Sequence, residues 1–395
     1  MSQQEAPPEP AAGGRVAGDA AVSGIRLTSV TLPLPVPVSD AKVLTGRQRP
    51  MTEVVFLFAE VAAGDQHGIG FSYSKRAGGR AQYAHAAEVA QTALGQDASD
   101  IGRIHTSLLW AGASVGRSGA ATQAIAAIDI ALWDLKARRA GLPLAKLLGA
   151  YRDSVRTYDT SGGFLHADLA AITARADESL AAGIGGIKIK VGHPDSRVDL
   201  DRVAAVRDHL GEHVPLMVDA NQQWDRATAA RIGRVLDRYG LEWIEEPLDA
   251  YDATGHARLA QRLDTPIATG EMLTSVAEHY ELIRHQAADI IQPDAPRVGG
   301  ITPFLQLATL ADHSGVDLAP HFAMEIHIHL AAAYPRETWV EHFDWLNPLF
   351  QHRMETRDGR MVVPTRPGLG LAPTDQARRW VTDTIGFGSI GTPLR

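Results

Sequence analysis

The chain has 395 residues, carries a formal net charge of −8 and contains no cysteine. Without cysteine there are no disulfide staples, thiolate nucleophiles or Cys-based zinc or iron–sulfur sites. The negative balance argues against a nucleic-acid or anionic-membrane partner. No run is long and apolar enough to span a bilayer, and the N-terminus lacks a basic-then-apolar signal pattern, so a cytoplasmic protein is expected. The length exceeds what one compact core usually holds, which predicts a barrel of about 200 residues plus a second domain.

Residues 1–22 are rich in Pro, Ala, Gly and Glu, with almost no large apolar side chains to offset the entropy of ordering, and read as a disordered tail. Residues 23–150 read as a capping α+β domain. Strand-like stretches, notably 54–61, alternate with a polar loop at 42–50 and a Gly-rich loop at 71–80; apolar spacings of three and four then predict helices over 84–94 and 122–148. From Val155 the rhythm becomes strand and helix in alternation. Eight short strands are predicted at 155–160, 186–191, 215–219, 243–246, 266–270, 290–293, 317–319 and 339–341, which is a parallel barrel signal over 151–341. No Gly-x-Gly-x-x-Gly fingerprint opens the first helix, so an open dinucleotide-binding sheet is not indicated. Residues 342–395 leave this rhythm. Their 360–363 stretch and the Pro367-Gly368-Leu369-Gly370 turn read as a return to the first domain that closes over the barrel mouth.

Asp219, Glu245 and Glu271 follow one another at steps of 26 residues, each closing a short apolar run. That step is one strand plus one helix, so the three carboxylates converge at the C-terminal rim of consecutive barrel strands, where three hard oxygens suit Mg2+ better than zinc. Singly, each could be a helix cap or a surface acid. Lys188 and Lys190 lie two apart in a strand and face the same way, into the barrel; embedded in Ile187, Ile189 and Val191 they do not look like a solvated edge. Their mutual repulsion predicts that the more desolvated lysine loses its proton near neutral pH and acts as a base, while its neighbour stays charged and holds a substrate carboxylate. Asp294 and His321 end the sixth and seventh strands, close enough for the carboxylate to orient the imidazole and raise its basicity, giving a second base across the mouth. Glu341 ends the eighth. His327 and His329 lie two apart in an apolar stretch and read as helical, pointing away from each other rather than towards a metal.

With these positions the chain resembles the enolase superfamily, and within it the mandelate racemase subgroup, from about Ile25 onward. The resemblance implies a (β/α)7β barrel under an α+β cap, Mg2+ on Asp219, Glu245 and Glu271, and Lys190 with the Asp294/His321 pair as acid–base groups. It further implies that Lys188 assists Lys190 and the substrate carboxylate, that Glu341 stabilises the enolate oxygen, and that Asn221 contacts substrate. Stretches 45–48, 72–79, 110–118, 219–226, 245–251, 293–303 and 320–325 are similar to dehydratases of six-carbon sugar diacids. The implied activity is dehydration of galactarate or L-talarate through an enediolate, by a homo-oligomer. Alternatives are a racemase or epimerase, a dehydratase of another acid sugar, or a non-catalytic scaffold. A diacid held by one carboxylate points the other at the cap, where Lys75, Arg76 and Arg47 are the candidate partners.

Overall fold

The structure, a computed structural model, describes residues 20–391. Most of the expected tail at 1–22 therefore lies outside the described residues, and Val22 already opens strand β1 (Val22–Val38). Strands β2 (Met51–Ala63) and β3 (Gln66–Lys75) continue an antiparallel sheet whose β-branched and aromatic side chains fill the space beneath it. Helix Ala120–Arg139 packs closely on β3, because Gly70 lacks the Cβ that would stand 2.3 Å from the Ala127 carbonyl. The predicted helix over 122–148 is in fact this helix plus a short one, Leu144–Leu147, since Gly141 turns left-handed and Pro143 blocks continuation.

Two predicted loops differ from expectation. The 42–50 segment begins as a helical turn, Ala41–Leu44, capped by the Asp40 side chain. Of 71–80, the first five residues belong to β3, because Phe71 and Tyr73 pack into the core shared by cap and barrel; the turn starts only at Arg76, with φ +66°.

All eight expected barrel strands are present: β4 (Ser154–Asp159), β5 (Gly186–Lys190), β6 (Leu216–Asp219), β7 (Ile244–Glu245), β8 (Ile267–Thr269), β9 (Ile290–Ile291), β10 (Asp317–Leu318) and β11 (Trp339–His342). They pair in parallel in sequence order, β11 returns to β4, and Thr338 Oγ1 donates to the Leu318 carbonyl across the β10–β11 seam. Each of the seven connections between them is helical, the one from β9 to β10 holding two helices, Ala295–Val298 and Ile301–Ser314, which is the (β/α)7β pattern. Short hairpin strands β12 (Thr356–Arg357) and β13 (Arg360–Val362) follow, and then β14 (Val381–Gly388), which pairs with β1 in the cap.

The C-terminal segment corrects one expectation. β13 pairs with the start of β4, Val362 opposite Ser154, so this hairpin lies at the N-terminal end of the barrel and does not close the mouth. Its Met361 and Val363 complete an apolar cluster with Val155 and Ile328, which is the physical reason it stays there. The mouth is covered by the cap, whose Phe56, Phe71 and Tyr73 share one core with Phe322 of the barrel and with Phe343 and Phe350 from the start of the C-terminal segment, and Phe343 and Trp345 also line the cavity. Among the described residues no helix is long and apolar enough to cross a membrane.

Candidate active site

Strand periodicity turns Lys188 and Lys190 into the barrel, and both are buried. Asp219 and Glu245 end β6 and β7, opposite each other in register. Glu271 lies just past β8, after Gly270 at φ +131°, a backbone angle that only glycine adopts without strain. Oxygens of the three carboxylates come within 4.8 Å of one another. Burial, together with the charges of Asp219, Glu271 and Glu341, pushes Glu245 up to about 8 even with Lys188 alongside. So much buried negative charge, all oxygen donors, is what a hard divalent cation relieves, and the residues fit Mg2+.

Lys188 Nζ lies 2.8 and 2.7 Å from the Glu245 oxygens and 2.8 Å from Glu341 Oε1, and Lys190 pairs with Asp219 Oδ2. The carboxylates around the two lysines oppose the loss of a proton expected from their mutual repulsion. Burial opposes the charge on both ammonium groups, but Glu245 and Glu341 hold Lys188, and Asp219 holds Lys190, well above the ordinary lysine value. The surrounding carboxylates outweigh the mutual repulsion of the lysines. Glu341 is fixed on both oxygens, by Thr160 Oγ1 at 2.8 Å and by the Phe322 N–H at 2.8 Å.

On the opposite side His321 Nδ1 lies 2.8 Å from Asp294 Oδ2, and Nε2 faces the cavity, 3.2 Å from Glu271 Oε2 and 3.4 Å from Lys75 Nζ. The expected rise in basicity is also corrected. Burial and the cations Lys75, Lys188, Arg297 and Lys190 drive the imidazole well below its ordinary value, so it is neutral and able to accept a proton. Burial likewise raises Asp294 to about 7, against the Tyr73 hydrogen bond and the charge of Arg297.

Asn221 lines the cavity at φ +44°; its amide donates to Asp219 Oδ2 at 3.2 Å, its N–H to Asp219 Oδ1 at 2.8 Å, and its own Oδ1 is buried without a partner. Lys75 and Arg76 also line the cavity, but Arg76 is engaged with Asp40 at 3.1 Å and the Arg49 carbonyl at 3.0 Å. Arg47 is exposed and does not line it. His327 and His329 are helical and point apart, as expected: one meets the Ala295 N–H and the other the Ala145 N–H.

Several residues of the site escaped the sequence reading. Gln292 Nε2 and Trp243 Nε1 donate to Glu245 Oε2 at 2.7 and 3.1 Å. Tyr73, from the cap, donates to Asp294 Oδ2. Arg297, one helical turn past Asp294, lines the cavity with its Nε buried and unpartnered. A polar residue following Ile290 and Ile291 at a barrel rim could have pointed to Gln292; Tyr73 could have been found only through its period-two relation to Lys75.

Residues 39–149 match the mandelate racemase/muconate lactonizing enzyme N-terminal domain, and residues 171–377 match the enolase C-terminal domain-like family. The chain belongs to the mandelate racemase/muconate lactonizing enzyme branch of the enolase superfamily. It is 62% identical over 368 residues to L-talarate/galactarate dehydratase of Salmonella typhimurium, spanning 93% of this chain and 92% of that one. L-Talarate dehydratase from Polaromonas sp. JS666, solved with Mg and L-glucarate, superposes with a TM-score of 0.92 at 64% identity, covering 94% of this chain and 100% of that one. The Salmonella enzyme liganded with Mg and L-lyxarohydroxamate superposes with a TM-score of 0.93 at 59% identity, covering 98% and 99%.

Proposed function

We propose that this chain is a Mg2+-dependent hydro-lyase that dehydrates galactarate and L-talarate to a keto-deoxy diacid. The observation that carries the reading is one cavity lined by Lys190, Glu271 and His321, with the Asp219–Glu245–Glu271 cluster on the Lys190 side and Asp294 behind His321 on the other. Asp219, Glu245 and Glu271 would hold the ion. Bound there, Mg2+ supplies Lewis-acid stabilisation of the charge that develops on the substrate carboxylate and competes with Lys190 for the charge of Asp219.

The residues of the chain then divide the work. Lys188, held charged by Glu245 and Glu341, offers a fixed cation to the substrate carboxylate, and Glu341 faces the forming enolate oxygen. Lys190 or neutral His321 removes the α-proton; the β C–O bond breaks, and the hydroxyl leaves as water with a proton from an acid of the site. The resulting enol ketonises. Because the two bases flank the cavity, epimers at the α-carbon can both be deprotonated, which supports one enzyme for two diacids and an epimerase side activity. Lys75 and Arg76 meet the distal carboxylate, with Lys75 the nearer to the acid–base pair. The same reading takes 23–150 as cap, 151–341 as barrel and 342–395 as a shared return segment, in a cytoplasmic homo-oligomer; limited proteolysis, cell fractionation and light scattering test those parts.

Incubation with galactarate or L-talarate and Mg2+ should give a 2-keto acid that semicarbazide detects. A change in optical rotation without keto product would make the chain an epimerase instead, and no reaction with either diacid would overturn the substrate assignment.

A further inference from the structure

Tyr73 is carried by the cap yet ends inside the barrel mouth, almost completely buried. Its hydroxyl donates to Asp294 Oδ2, the same oxygen that lies 2.8 Å from His321 Nδ1, and it stands 3.4 Å from that nitrogen. Asp294 Oδ1 is buried with no hydrogen-bond partner, so the dyad hangs on the one oxygen that Tyr73 also binds. The phenol ring meets Phe322, the residue after His321, edge-on at 4.7 Å. The ring thus packs on the side chain next to His321 in the chain, and the hydroxyl binds the carboxylate that holds the imidazole.

A buried hydroxyl costs stability unless it is hydrogen-bonded. Phe71, two residues earlier on the same face of β3, meets the packing need of this core without one. The Tyr73 hydroxyl is therefore accounted for by polar partners at the site, Asp294 of the dyad with the Arg297 guanidinium beside it, and not by the core. Burial and the neighbouring Asp294 charge keep the phenol protonated, hence a donor. Among the described residues the lysine side shows no such link to the cap: Lys188 and Lys190 are held by Asp219, Glu245, Glu341 and the Tyr158 ring, all from barrel strands.

We propose that Tyr73 is a positioning residue for His321, orienting Asp294 and through it the imidazole, so that the cap controls one of the two acid–base groups and leaves Lys190 to the barrel. This rests on the acid–base reading of His321 above.

The test uses the full-length protein with Mg2+ and follows deuterium exchange at the α-carbon of the two epimeric diacids. Tyr73→Phe keeps the ring and its packing on Phe322. It should slow exchange about 10-fold for the epimer whose exchange His321→Asn abolishes, and leave the Lys190-dependent epimer within about 2-fold, the size of effect expected when an imidazole loses its orienting partner. In an Asp294→Asn background the same substitution should add nothing. Independently of turnover, the low-field proton resonance of His321 Nδ1–H in metal-free protein should move in Tyr73→Phe. Equal slowing of both epimers, additivity in the Asp294→Asn background, or an unmoved resonance would overturn the proposal. Selective loss in His321→Asn together with unchanged behaviour of Tyr73→Phe would overturn this inference alone. Undiminished exchange of both epimers in His321→Asn would overturn the acid–base assignment, and the inference with it.

Discussion

The lysine side and the histidine side of the cavity solve the same problem with different materials. On the lysine side every partner is a barrel residue at a strand end: Asp219, Glu245 and Glu341 neutralise two ammonium groups that burial alone would discharge. On the histidine side the barrel supplies Asp294 and His321, but the cap supplies Tyr73 and Lys75, and burial together with the cations Lys75, Lys188, Arg297 and Lys190 lowers the imidazole towards its neutral form. The lesson is that a charged acid–base group can be built within one domain, whereas the neutral one depends on the seam between two.

The largest effect strikes both. Chelation by EDTA should abolish turnover and Mg2+ restore it, and Glu271→Gln should keep the fold while losing most of its metal affinity by calorimetry, because one of three anions is gone. Full turnover in demonstrably metal-free protein would remove the shared centre of the comparison.

Next come the two sides separately. Lys190→Ala and His321→Asn should each lower dehydration by at least about 10²-fold, the usual contribution of one positioned acid or base. Steady-state kinetics with both diacids reads this, and unaltered rates in either variant would break the two-sided scheme.

The cap contribution is smaller. Lys75→Ala should raise KM for diacids while affecting the mono-acid galactonate little, as loss of a charge-assisted contact of about 1.5–3 kcal/mol would do. Arg76→Ala should do less, because that guanidinium is already held by Asp40 and the Arg49 carbonyl, and Arg47→Ala less still, since Arg47 is exposed. Equal losses on galactarate and galactonate would show that none of them reads the distal carboxylate.

The smallest effect contrasts two buried carboxylates at the rims of the two sides. Asp159, at the end of β4, is brought down to about 2 as His342 and Arg175 outweigh its burial. Glu325, four residues past His321, is buried with one oxygen unpartnered and is pushed by burial from its ordinary 4.5 up to about 7. For Glu325 the sign is a cost. Below about pH 4.5 the group is protonated folded or unfolded; as pH rises towards 7 the unfolded chain ionises first and the native state loses stability, by roughly 3 kcal/mol at 1.36 kcal/mol per unit. Glu325→Gln should therefore stabilise the protein at pH 8 and be neutral at pH 4 in urea unfolding. Asp159→Asn should do the opposite, losing stability at neutral pH and nothing near pH 2. Parallel pH profiles for the two variants would contradict the contrast.

What could be read in the chain itself was everything that depends on spacing along it. The 26-residue steps between Asp219, Glu245 and Glu271 mark barrel strand ends, and the two-residue offset of Lys188 and Lys190 puts both on one inner face. A parallel barrel repeats its strand ends at regular intervals, so convergence in space is encoded as periodicity in sequence. Three things lay beyond that reading. The protonation of the lysines and of His321 depends on burial and on charges from residues far apart in the chain, which spacing along it does not encode. The place of the 360–363 strand was decided by which apolar surface it could cover, and Val155 at the barrel base was the one that suited it. Tyr73 reaches Asp294 across 221 residues of sequence, a contact that only the docking of the cap onto the barrel creates. Local periodicity specifies elements and the faces they present, while the electrostatic environment and the pairing of faces belong to the assembled fold, where burial makes distant charges strong.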